Sequence, residues 1–148
     1  RERRMTPHPT AQADQFHAAA EDARRRLTVI AAAGGAGVSR ATDPTGWLTR
    51  QARGFVDALT STQGRFCWHI GSSPHVVHAA VWAPGVVVCS ACVHLLRPTS
   101  GEDATCDRCR RTVDPLHPGI AAFGPVLIMF GLCDQCQAAT GLPVGVRP

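Results

Sequence analysis

Three Cys-x-x-Cys pairs carry the clearest chemistry in this chain: Cys89 with Cys92, Cys106 with Cys109, and Cys133 with Cys136. Two thiolates two residues apart fold back over one metal ion in a tight turn, and two such turns complete a tetrahedral site of four sulfurs. Three pairs are one more than a single site needs, so one pair must find partners elsewhere. Cys67 and His69, two residues apart where the sequence reads as a strand, offer a sulfur and a nitrogen. His75, His78, His94 and His117 are further candidates. The spacing leaves open which pairs share an ion, but the donor count predicts two Zn²⁺ per chain. A zinc held by four protein donors has no open position for a water, so it supports folding rather than hydrolysis.

Other chemistries find little material. The chain has Glu only at positions 2, 21 and 102, and none forms a His-x-Glu or His-Glu-x-x-His pattern with which a zinc hydrolase or deaminase would supply its general base. Gly34, Gly35 and Gly37 follow a helical pattern instead of leading a strand into one, so no phosphate-cradling loop is predicted. Ser72, Ser73 and His75 lie close together but lack an orienting acid. No catalytic residue is assigned.

The paired cysteines would serve disulfides in a secreted protein. The arginine-rich start, followed by Thr6-Pro7-His8-Pro9, does not read as an apolar signal core. The longest apolar stretch, residues 119–132, is short for a membrane span and is interrupted by Pro125. A reducing cytoplasm and no membrane association are therefore expected. Of the 148 residues, all 15 basic ones are Arg; Lys and Asn are absent, a composition resembling that of actinobacterial proteins, their plasmids and phages. The net charge of +4 suits an acidic partner, though it is modest for a protein dedicated to gripping phosphates.

The elements that must position the cysteines follow from periodicity. Residues 1–10 read as a disordered tail. Phe16, Ala20, Ala23, Leu27 and Ile30 form one stripe of a helix over residues 11–33. Asp43 and Pro44 announce a second helix, as N-cap and first helical residue, with Leu48, Ala52, Phe55 and Leu59 on its apolar stripe. Together the two predict a helical hairpin over residues 11–62. From Arg65 the period shortens: strands are predicted over residues 65–70, 76–82 and 86–88, with a reversal at Pro84 and Gly85. Residues 93–96 are expected to pair back, 126–132 to form a buried strand, and 137–140 one helical turn before a tail at 143–148. The fold class is therefore α+β, with the hairpin packed on a small strand-rich zinc-binding lobe over residues 65–142.

The run of a strand, Cys89 and Cys92, a hairpin, then Cys106 and Cys109 resembles a zinc ribbon over residues 86–113. A strand entering the first pair and a helix leaving the third also resembles a treble clef. Residues 106–136, with Asp114, His117 and the second and third pairs, resemble the frame of HNH endonucleases. Pro115 stands where that family has a histidine after the Asp, and the chain has no Asn to match its motif. The resemblance implies a degenerate, HNH-like nuclease as a third reading. The leading expectation is a zinc-binding module acting on nucleic acid or a nucleic-acid-handling complex, with Arg97, Arg108, Arg110 and Arg111 as contacts beside the second knuckle. The alternative is a scaffolding module that docks a partner protein or a second copy of itself.

Overall fold

The computed structural model describes residues 9–35, 37–38, 43–71 and 73–142. The expected tails at 1–8 and 143–148 lie outside these residues. The continuous apolar run Val126–Leu132 is strand β5, and it explains the architecture. Successive side chains on a strand point to opposite faces, so a strand apolar at every position needs cover on both sides. Val126, Ile128, Phe130 and Leu132 join one core cluster, whereas Leu127 belongs to another.

Five strands form one sheet in the order β1-β3-β2-β5-β4. Strand β1 is Arg65–Phe66, β2 Val77–Ala80, β3 Val86–Cys89 and β4 His117–Phe123. β2 runs antiparallel to β3 and parallel to β5, and β4 and β5 form an antiparallel hairpin in which Gly119 faces Phe130. The predicted reversal between β2 and β3 is present, with Gly85 at φ 74°.

Helix α1 spans Pro9–Ala33, taking in the last two residues of the expected tail, and helix α2 spans Trp47–Thr60. Ala23 and Leu27 of α1 pack on Val76 and Leu127, with Ile120 and Ala122 alongside. Trp47, Leu48, Ala52 and Phe55 of α2 pack on the opposite face, against Val77, Ala79, Val87, Ile128 and Phe130. The expected helical hairpin is thus corrected: the sheet lies between the two helices, because both its faces are apolar. The mixed α+β class stands.

Three local expectations are also revised. Asp43 caps α2 from a distance, since the helix starts at Trp47 rather than Pro44; its Oδ2 accepts the Leu48 N–H at 2.9 Å and its Oδ1 that of Thr45 at 2.9 Å. Residues 93–96 do not pair as a strand. They belong to a 3-10 helix, Ser90–Leu96, that buries Leu96 and lets its carbonyl accept the Trp82 indole N–H at 2.7 Å. Strand β4 was not expected, because its Pro, Gly and Ala residues carry little intrinsic strand preference. Pairing along the whole length of β5 compensates.

Candidate metal centres

Three of the four ligand turns are built where a strand ends. β3 delivers Cys89, whose extended backbone leads into the 3-10 helix that carries Cys92. β1 stops after Phe66, and a turn closed by the Ile70 N–H on the Cys67 carbonyl, 3.2 Å, places Cys67 and His69. The strand predicted over residues 65–70 is therefore short, and the turn brings both donors to one point. β1 and β3 lie side by side with Phe66 opposite Val87, which sets this turn against the first Cys-x-x-Cys pair.

The second centre is assembled by the β4–β5 hairpin. β5 runs into Cys133, which stands at the N-cap of helix α3, Asp134–Thr140, and its Sγ accepts the Cys136 N–H at 3.4 Å. The knuckle of Cys106 and Cys109 is pinned to β5 through Asp107. The Asp107 N–H donates to Gly131 O at 2.9 Å, and Asp107 Oδ2 accepts the Gly131 N–H at 2.6 Å. Arg110, at φ 63°, closes the knuckle by donating its N–H to Cys106 O.

Two groups of four donors result: Cys67, His69, Cys89 and Cys92; and Cys106, Cys109, Cys133 and Cys136. Within each, the ligand atoms all lie within 4.8 Å of one another. Zinc bond lengths of about 2.3 Å to sulfur and about 2.05 Å to nitrogen imply tetrahedral edges of about 3.8 Å for S···S and about 3.6 Å for S···N. The structure has Cys109 Sγ to Cys133 Sγ at 3.9 Å, and His69 Nδ1 at 3.7 Å from Cys89 Sγ and 3.3 Å from Cys92 Sγ. The donors fit one four-coordinate ion in each group.

The sulfurs are also supported from outside. Cys67 Sγ accepts the Cys89 N–H at 3.2 Å, and Cys106 Sγ that of Cys133 at 3.4 Å. Burial raises the Cys106 thiol, but the N–H groups of Cys109, Cys133 and Arg108 outweigh it and bring it down to about 7. Cys67 behaves alike: burial opposes, but the Cys89 N–H and His69 prevail and lower it to about 6. Cys92 is pushed up to about 11, first by burial and then by Cys89 and Cys67. Burial, followed by the neighbouring thiols, pushes Cys136 up to about 12 against the pull of Arg108. Crowded thiolates repel, so ionising a whole group requires a cation among them.

The two centres differ in exposure. Cys106 and Cys136 are 0% and 2% exposed, whereas Cys67 is half-buried and His69 open to solvent. Four thiolates around Zn²⁺ leave two net negative charges; three thiolates and a neutral imidazole leave one. Arg108 meets the four-sulfur group, its Nη1 donating to Cys136 Sγ at 3.5 Å. Of the other arginines singled out in the sequence, Arg111 donates to Gln135, Arg110 lies 3.8 Å from Asp107, and Arg97 is exposed.

The zinc-ribbon pairing is corrected, since the first and second cysteine pairs belong to different groups. The treble-clef alternative that joined the first and third pairs is corrected too. Topology decides: the β4–β5 hairpin brings the second and third pairs together, leaving the first to the β1 turn. Among the described residues, no further histidine joins either group. His75 Nδ1 meets Ser73 O at 2.9 Å, His78 Nε2 meets Ser90 Oγ at 3.1 Å, His94 is exposed, and His117 pairs with Asp134. Burial, then Arg26, lowers the His78 pKa, consistent with a neutral ring.

Sequence reasoning missed Trp68. It sits between Cys67 and His69, 88% exposed, with its ring centroid 3.8 Å from that of His69. An aromatic residue inside a candidate ligand turn was the available signal. Phe55, in contrast, is a buried core residue, as the helical stripe predicted, and Trp47 is buried in the same core cluster.

Compared with known proteins, the chain matches no family model, no curated protein and no solved structure. No helix among the described residues is long and apolar enough to cross a membrane.

Proposed function

We propose that this chain is a non-catalytic module with two structural zinc ions, one held by four sulfurs and one by three sulfurs and a nitrogen, that acts by binding nucleic acid or a nucleic-acid-handling complex. Soft donors at tetrahedral edge lengths support zinc, and four protein donors per ion support a structural role. The second centre runs knuckle, β-hairpin, helix, an order that supports a treble-clef-like reading of residues 106–140.

The observation that carries the binding role is Trp68. A large aromatic ring at 88% exposure has no packing function, and its contact with His69 lets the first metal centre hold it in place. Such a ring is a platform on which an unpaired base stacks, and the exposed Arg65, Arg97, Arg110 and Arg111 supply charge for phosphates. The test is fluorescence anisotropy with single-stranded and duplex oligonucleotides over a salt series. Binding should favour single strands and weaken steeply with salt, and Trp68→Ala should reduce it by about tenfold or more. Undetectable or salt-insensitive binding contradicts the reading.

The scaffolding reading has support in Phe66 and Leu95, apolar residues 40% and 60% exposed. If it holds, sizing experiments will show self-association that weakens on Leu95→Ser, with no affinity for oligonucleotides.

A further inference from the structure

Neither metal group touches a cleft of about 560 Å³ on the molecule. Its size falls within the range of about 300–1,000 Å³ usual for small-molecule sites. Ile30 of α1, Ile120 of β4, Met129 of β5 and Trp82 give it an apolar lining. The Trp82 indole is fixed by its bond to Leu96 O, so this wall is preformed.

Among the described residues, the charged ones lining the cleft are all of one sign. Glu102, Asp103, Asp107 and Asp114 contribute, while none of the arginines among the described residues does. In a chain of net charge +4 this is a local inversion. Asp107 is committed to the Gly131 N–H and lies near Arg110, and Glu102 Oε2 accepts the Thr99 N–H. Asp103 and Asp114 form no ion pair among the described residues.

We propose that this cleft binds a small organic cation, an ammonium or guanidinium group carried on an aromatic or aliphatic body. The apolar wall removes the body from water, while the carboxylates attract the charged end. Trp82 adds an aromatic face that also favours a cation. A neutral apolar ligand would strip water from the carboxylates without replacing it, and an anion would be repelled. A hydrated metal ion would leave the apolar wall uncovered. The site is independent of the nucleic-acid reading, since it uses neither Trp68 nor the exposed arginines.

The experiment is a ¹H–¹⁵N NMR titration of the zinc-loaded full chain with tryptamine and phenethylamine, set against indole-3-acetate, phenylacetate, indole and Mg²⁺. At least one amine should shift the amides of Ile120, Met129 and Gly131 and bind about tenfold or more tightly than its matched acid. The double variant Asp103→Asn, Asp114→Asn should lose most of that preference without weakening indole binding. Both side chains are exposed, so the fold should tolerate the change. The proposal is overturned if neither amine outbinds its acid, if the shifts lie away from the cleft, if Mg²⁺ alone produces the same shifts, or if the double variant keeps the preference.

Discussion

Arg108 donates from Nη1 to the Sγ of Cys136 across 3.5 Å, joining the knuckle of the second cysteine pair to the helix that carries the third. With Zn²⁺ bound by four thiolates, as proposed, a guanidinium at this position would offset the two net negative charges of the centre. It also lies close enough to Asp43 for each charge to stabilise the other, which links the start of α2 to the same centre.

Arg108 should therefore act on metal retention before it acts on any ligand. Arg108→Ala is expected to weaken zinc binding at the four-sulfur centre by about 10- to 100-fold, as loss of an outer-shell partner does, with Arg108→Lys in between. Competition with a chromophoric chelator measures this. Unchanged zinc affinity together with lost oligonucleotide binding would instead assign Arg108 to the partner surface.

The two centres should lose metal in a fixed order. His69 is exposed and Cys67 half-buried, whereas Cys106 and Cys136 are almost sealed, so a chelator should first remove the ion of the three-sulfur centre. A biphasic release monitored colorimetrically, with the fast phase abolished by His69→Ala, is expected. Removal of the second ion should unfold the chain, because the sulfurs of Cys106, Cys133 and Cys136 belong to the main core. A single release phase would contradict the order.

Much of the candidate site was legible before the fold was known. All eight donors could be named, including Cys67 and His69 outside the paired stretch. Their partition could not, because the three Cys-x-x-Cys turns are locally equivalent and only topology distinguishes them. That topology rests on β4, whose Pro118, Gly119, Ala121 and Ala122 hide a strand from propensity. The helices were misplaced for a different reason. Their adjacency in sequence suggested a hairpin, although Leu127 beside Ile128 in an uninterrupted apolar run already implied a sheet covered on both faces.

The start of α2 predicts an acid dependence. Burial raises the Asp43 pKa, but hydrogen bonds from the Leu48 N–H and from Thr45, with the Arg108 charge, outweigh it and leave the carboxyl below its ordinary value. A folded pKa lowered in this way contributes stability above the unfolded value, about 3.9. The contribution fades as pH falls through the folded value. Asp43→Ala should cost about 1 kcal/mol, typical of a lost helix cap. In urea denaturation the wild-type advantage should stay level between about pH 7 and pH 5. A gap that closes within that window would contradict the assignment.

Gly119 predicts a steric limit. A Cβ built there would lie 2.3 Å from Cε2 of Phe130, whose ring is held against Trp47 at a centroid distance of 5.8 Å. Gly119→Ala should destabilise the fold by about 1–3 kcal/mol, the usual range for overpacking a core. Gly101→Ala, where a Cβ meets nothing within 4 Å, is the matched control. Equal denaturation midpoints for the two variants would show that Phe130 moves freely.

The central claim is that eight protein donors hold two zinc ions with no position left for water. Elemental analysis combined with zinc K-edge absorption spectroscopy on the purified full chain tests it most directly. The account predicts two zinc ions per chain with only sulfur and imidazole nitrogen in the first shell, sulfur predominating about seven to one. One ion or none per chain, or an oxygen ligand at either ion, would contradict it.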